Sequence, residues 1–377
     1  NSSGVTIGTP ASGRVGVQGD LDLQSGDFTT NAFLTIASRR QNGSGSEDGA
    51  IIGSGNLVSS AGDLAERFLS EGTNSVSGAN DVGDASAGEI GDDAGFRLIS
   101  HPFDGTIPAS ELIRTSNGGA DNTLVEDLPP GGGSTNNPDN SMIFKYDETD
   151  TANGPFVSPD EEAGPGVDVD DSTFGLEQGR GYLLFFFDDT EDPINGADES
   201  GTPNVDERGL IYEMGGSTAL LDPATPRDFD PGEAGDQPPV VTGLPDLGTD
   251  GGYHLLGNPY AAGYNVGEIV VDGTALKDTP NFSNSVEVVI AVNSGNQTTT
   301  LSTTDVLASG QGFYLEQTAD LTSTDFDVEF PPAGVTGGAD NDGVFVNSTQ
   351  PSSTNPRFQV ALKQRFSPDG GFPSVVT

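Results

Sequence analysis

Hydrophobic and polar residues alternate cleanly near the start of the chain. Val15, Val17, Leu21 and Leu23 fall on one parity, and Arg14, Gln18, Asp20, Asp22 and Gln24 on the other. A period of two predicts a half-buried strand. After a turn at Ser25-Gly26-Asp27, short apolar runs follow at Phe33 to Ile36, Ile51-Ile52 and Asn56 to Val58. Short strands punctuated by glycine predict either the coils of a small β-solenoid or one face of a sandwich. Periodicity does not decide between helix and strand for Asp63 to Leu69. Residues 70–93 are Gly, Ser, Asn, Asp and Glu-rich and read as a linker.

Beyond it the chain repeats itself. Gly95-Phe96-Arg97-Leu98-Ile99-Ser100-His101-Pro102-Phe103 recurs as Gly252-Tyr253-His254-Leu255-Leu256-Gly257-Asn258-Pro259-Tyr260. In the same order, Leu176 to Leu183 (LEQGRGYL) recurs as Leu307 to Tyr314 (LASGQGFY). Two ordered matches point to a tandem duplication. Each unit opens on a strand that must stop or turn at the residue-Pro-aromatic step, because proline lacks a donor and bars the helical region to the residue before it. The Gly-X-Gly step then opens another strand, its glycines allowing positive φ or a close backbone crossing. Between these motifs Met142 to Tyr146 and Val286 to Val292 read as central strands. Phe326 to Phe330 alternates to close the second unit, and Phe358, Val360 and Leu362 alternate in a last strand with little chain after it to pair with.

The expected fold class is therefore all-β: tandem antiparallel β-sandwich units preceded by a short glycine-rich β-solenoid-like or sandwich segment. The divisions are 1–69 (glycine-rich β segment), 70–93 (linker), 94–236 (first unit), 250–335 (second unit) and 340–377 (strand segment able to pair between subunits). The first unit is longer because of acidic insertions at Ser116 to Asn140 and Thr149 to Asp171, and its tail, Asp188 to Asp236, reads as loop.

Composition narrows the function. The 377 residues include 54 Gly and 25 Pro, no cysteine and no tryptophan, so turns recur and neither disulfides nor thiol chemistry contribute. Against 14 Lys and Arg stand 58 Asp and Glu, a net charge of −44. Nucleic acid is excluded as a partner by that sign, and no apolar run reaches the ~20 residues needed to span a bilayer. Such self-repulsion is relieved by salt or bound cations, which points to a saline or calcium-containing habitat.

The only histidines, His101 and His254, both fall inside the duplicated motif, aligned with Asn258 and Arg97. A turn or strand role explains that better than catalysis. Paired carboxylates discriminate nothing among so many acids, and no glycine-rich loop carries the lysine of a phosphate site. Hard oxygen ligands without soft ones leave Ca2+ as the one candidate cofactor. Its candidate ligands are Asp168, Asp170 and Asp171, Asp188 and Asp189, and Asp340 and Asp342, although none of these loops completes the twelve-residue calcium pattern.

At the duplicated motifs the sequence resembles repeat-containing cell-exterior proteins of Bacteroidota exported by the type IX secretion system. The matching segments are GFRLISHPF with LEQGRGYLLFF and GYHLLGNPY with ASGQGFYLE, and the likeness extends over roughly residues 55–365. The resemblance implies an extracellular, cell-surface location and an adhesive or architectural role. The small sorting domain usual at the end of that family is not seen here. Two readings follow. In the first, the chain is a non-catalytic structural subunit that packs with copies of itself into a fibre, sheath or layer, with Phe358, Val360 and Leu362 pairing against Val15, Val17 and Leu21 of a neighbour. In the second it is a monomeric adhesin or glycan-binding module displaying the acidic loops to a surface glycan or matrix.

Overall fold

The computed structural model describes residues 5–8, 14–17, 19–40, 46–70, 95–114, 143–149, 155–157, 174–186, 209–223, 238–292, 295–337 and 360–363, and these form an all-β protein. The first part winds in stacked passes. One pass holds β1 (Val5–Thr6), β2 (Arg14–Val17) and β3 (Asp20–Leu23). The next holds β4 (Asp27–Thr29), β5 (Leu34–Ile36), a small hairpin of β6 (Ser38–Arg40) and β7 (Ser46–Asp48), and β8 (Ala50–Gly53). A third begins with β9 (Asn56–Val58) and β10 (Leu64–Ser70). Each strand lies in parallel on its predecessor: β1, β4 and β9 in one column, β2, β5 and β10 in a second, β3 and β8 in a third. Leu21, Leu23, Leu34, Ile36, Ile51 and Leu57 fill the space between the columns.

One local expectation changes here and one open choice is decided. The alternating run from Val15 to Leu23 is two strands rather than one, because Gly19, with φ 81°, turns the chain between columns. The inward parity of Val17, Leu21 and Leu23 survives the corner. Residues 64–70 are strand, not helix. Just before that strand the buried Asp63 carboxylate accepts from Leu34 N (2.9 Å), Ser59 Oγ (2.6 Å), Ser60 N (3.2 Å) and Thr30 Oγ1, tying the second pass to the third.

The first repeated unit contains β11 (Gly95–Ile99), β12 (Thr106–Pro108), β13 (Ile113–Arg114), β14 (Ile143–Tyr146), β15 (Phe156–Val157), β16 (Gly175–Glu177), β17 (Tyr182–Phe186) and β18 (Gly209–Met214). The second contains β19 (Val240–Pro245), β20 (Gly252–Gly257), β21 (Gly263–Asn265), β22 (Val270–Val271), β23 (Thr274–Ala275), β24 (Phe282–Val292), β25 (Gly295–Ser302), β26 (Val306–Leu307), β27 (Gly312–Gln317), β28 (Asp325–Glu329) and β29 (Val335–Thr336). The reading of the 188–236 tail as loop is corrected by β18, which pairs with both β10 and β13.

The two units have the same sheets in the same order. β11-β17-β14-β15 corresponds to β20-β27-β24-β25, and β13-β18-β10 to β22-β28-β19. Register agrees residue for residue: Arg97 faces Leu184 as His254 faces Leu315, and Ile143 faces Leu184 as Val286 faces Leu315. Ile107 opposite Leu176 matches Tyr264 opposite Leu307. The correspondence thus extends one strand upstream of the matched sequence motifs, to β10 and β19. In the second unit both sheets feed one core, with Leu256, Val286, Phe313 and Leu315 from one and Val241, Val271, Phe326 and Val328 from the other. In the first, β10 belongs at once to the unit and to the coiled segment, so those two share a core.

The last described strand, β30 (Val360–Lys363), pairs antiparallel with β2 of the same chain, Val15 opposite Leu362 and Val17 opposite Val360. It forms the outer strand of a sheet ordered β13-β18-β10-β5-β2-β30. The segments expected to meet between subunits therefore meet here within one. Among the described residues no helix is long and apolar enough to cross a membrane.

Candidate functional site at the junction of the repeated units

The duplicated motifs are where the two units meet. The end of β11 bridges to the turn before β27, Ile99 opposite Gln311, and the end of β20 bridges to the turn before β17, Leu256 opposite Arg180. Since Ile99 aligns with Leu256 and Gln311 with Arg180, the two bridges are one contact made twice about a local two-fold axis. The hydrogen bonds obey the same symmetry: Ser100 N donates to Gly310 O and Gly257 N to Gly179 O, both at 2.8 Å. A patch that binds its own copy in this way is isologous, the arrangement of a two-fold dimer.

Each glycine of the Gly-X-Gly step has its own task. The first, Gly179 or Gly310, takes φ of 76° or 69° to form the turn. The second is open to closer approach, as a Cβ on Gly181 would lie 2.4 Å from Leu256 O, and one on Gly312 would lie 3.0 Å from Ile99 O. Gly257 packs so tightly that a Cβ there would lie 2.1 Å from Ser100 Cβ. The Ser100 hydroxyl in turn donates to Asn258 O at 2.8 Å, across the junction.

His101 and Asn258 hold the residue-Pro-aromatic turns in the same manner. Phe103 N donates to His101 Nδ1 (3.3 Å) and Tyr260 N to Asn258 Oδ1 (3.0 Å), while the opposite edge of each side chain reaches backbone carbonyls, Leu176 O from His101 Nε2 (2.8 Å) and Ala308 O from Asn258 Nδ2 (2.9 Å). Burial holds the imidazole of His101 in its neutral form and lowers its pKa to about 4, against the smaller opposing effect of its backbone hydrogen bonds.

Side chains break the symmetry. The guanidinium of Arg67 on β10 is fully buried and donates to Ser309 O (3.0 Å), Ser309 Oγ and Glu66 O (2.5 Å), bolting the first unit to the turn of the second. Its counterpart is Val241, which packs on Gly179 as Arg67 packs on Gly310. Glu148, in the turn after β14, places Oε1 3.3 Å from Nδ1 of the buried His254 and 3.5 Å from Nη1 of Arg180. His254 also meets the Phe326 ring edge to face at 4.9 Å. Beside this group Leu98 and Leu183 of the first unit pack on Leu255 and Val289 of the second. A chain of edge-on rings, Phe156, Tyr146, Tyr314 and Tyr253, continues the contact outward. Burial raises the phenol pKa of Tyr314 and Tyr146, helped at Tyr146 by Glu148.

Of the residues singled out from sequence, the calcium candidates Asp168, Asp170, Asp171, Asp188, Asp189, Asp340 and Asp342 lie outside the described residues, as does Phe358. Among the described residues no cluster of three or more metal-ligating side chains occurs. Val15 and Val17 are brought opposite Leu362 and Val360, whereas Leu21 sits around the corner in β3, opposite Ile51 of β8. Arg67, Glu148 and Ser309 were not singled out. Only a charged pair, Glu66-Arg67, inside the apolar run Leu64 to Leu69 marked one of them. No known protein family, curated protein or solved structure matches the chain.

Proposed function

We propose that the chain is a non-catalytic structural protein of the cell exterior, a subunit that associates with copies of itself into a fibre, sheath or surface layer. The observation that carries this reading is the junction, where one folded unit docks on a second copy of itself through a self-complementary patch built from backbone and glycine. A repeated motif used for docking rather than for presenting reactive groups supports an architectural role. Its histidines support the same view. His101 uses both ring nitrogens to hold a turn, and His254 is sealed between Glu148 and Phe326. Export and surface location rest on the motif resemblance.

Sedimentation velocity of the purified full chain over a wide concentration range, at low and high salt, tests the reading. Association that grows with concentration and is strengthened by salt, as screening of the −44 charge requires, is expected. A monomer under every condition, together with ligand capture on a glycan array, would instead establish the adhesin reading. That alternative places its ligand on the acidic insertions of the first unit.

A further inference from the structure

We infer that β30 is a donor strand exchanged between copies of the chain, with the edge of β2 as its acceptor. This rests on the self-association proposed above and names the surface and the partner, residues 360–363 of a second copy. The acceptor edge is built without the donor. On its other side β2 pairs with β5, Val15 N donates to Phe33 O and Ala37 N to Val17 O, both at 2.7 Å. Arg14 reaches across the passes to Ala32 O (3.1 Å), Leu34 O (2.5 Å) and Gly62 O (2.5 Å). Remove β30 and a preformed strand presents a free row of donors and acceptors, which is a template for pairing.

The donor, in turn, has β2 as its only strand partner among the described residues. The connection to it is longer than closure within one chain requires. Gly337, just past β29, already lies against Asp20 of β3, the strand that follows β2. Residues 338–359 then intervene, enough chain to span roughly 70 Å when extended. Such a tether makes the choice between own and neighbouring edge a matter of effective concentration.

Charge suits the segment to an acidic edge. From residue 343 to 368 there is no acid, while Arg357, Lys363 and Arg365 give the segment +3; the rest of the chain therefore carries −44 − 3 = −47. A basic strand is attracted to the edge of an acidic body, its own or a neighbour's, and salt that screens the repulsion between bodies brings a neighbour's edge within reach.

Because the chain lacks cysteine, the exchange can be read by cross-linking. Val15→Cys and Leu362→Cys are made in separate full-length chains, mixed, concentrated and oxidised. The pair Val17→Cys and Val360→Cys repeats the test should the first fold poorly. A covalent heterodimer that exceeds the homodimers of each chain alone is expected, and the doubly substituted chain should give a ladder of covalent oligomers whose proportion falls on dilution. Assemblies that form while the doubly substituted chain closes only on itself would overturn strand exchange and leave self-association standing through another surface. No disulfide at all in the doubly substituted chain would overturn the pairing of β2 with β30. Absence of any assembly would overturn the reading on which the inference rests.

Discussion

Replacing Gly181 by alanine should loosen the junction, because this buried glycine is crossed closely by the other unit. The new Cβ would stand 2.4 Å from Leu256 O and 2.8 Å from Leu255 Cγ, where ordinary contact begins near 3.4 Å, so the strands must part by about 1 Å. Overpacking of that kind costs about 1–3 kcal/mol. Parting also weakens two hydrogen bonds, Gly181 N to Leu255 O (3.2 Å) and Gly257 N to Gly179 O (2.8 Å), each worth about 1 kcal/mol net. Alanine returns about 0.4–1 kcal/mol by stiffening the unfolded chain, so the net loss should be about 2–4 kcal/mol. Gly312→Ala meets its nearest atoms at 2.9 and 3.0 Å and needs a smaller shift. It should lose about 1–2 kcal/mol. Gly8, with nothing within 4 Å of a Cβ, is the control, and Gly8→Ala should stay within about 0.5 kcal/mol of the parent. Urea unfolding midpoints at constant slope give the comparison. Equal midpoints for Gly181→Ala and Gly8→Ala would refute the close crossing of the two units.

Arg67→Met keeps the buried stem but removes the guanidinium hydrogen bonds to Ser309 O, Ser309 Oγ and Glu66 O. It should cost about 2–4 kcal/mol and raise amide exchange at Ser100 and Gly310, whereas unchanged exchange there would mean that Arg67 does not bolt the units. His101 makes stability depend on pH with a definite sign. Its folded pKa lies at about 4, below the ordinary 6.5, so between those values the unfolded chain binds a proton that the folded one does not. Stability should therefore fall as pH drops from 6.5 to 4, by about 3 kcal/mol in all, with no further loss from this group below that. His101→Asn, which installs the residue used by the other copy, should flatten this window in a series of urea titrations; an unaltered slope would contradict the assignment.

The duplicated motifs were legible because they are short, ordered and full of proline, whose geometry is restricted, and glycine, which takes conformations and close approaches that other residues do not. The parity of Val17, Leu21 and Leu23 and of Phe326 and Val328 was legible for the same local reason. What escaped was contact at a distance. Nothing local in Gly179-Arg180-Gly181 says that the strand crossing it comes from the other unit. The match between β10 and β19 is carried by pairing register alone, since Glu66-Arg67 and Val240-Val241 share no chemistry. β18 hid in an acidic tail because its apolar core, Leu210-Ile211-Tyr212, is three residues long. Glu148 was one acid among 58, and only the fold places it between His254 and Arg180. Alternation at Val360 and Leu362 points to pairing with Val15 and Val17 of a neighbour, and the structure pairs them within one chain; which chain supplies the partner is a matter of topology that alternation does not encode.

The central claim, that this is an architectural protein built to associate with itself, is tested most directly by negative-stain electron microscopy of the full chain, concentrated in high salt. Filaments or layers with a regular subunit repeat are expected. A field of isolated particles at every concentration would contradict it.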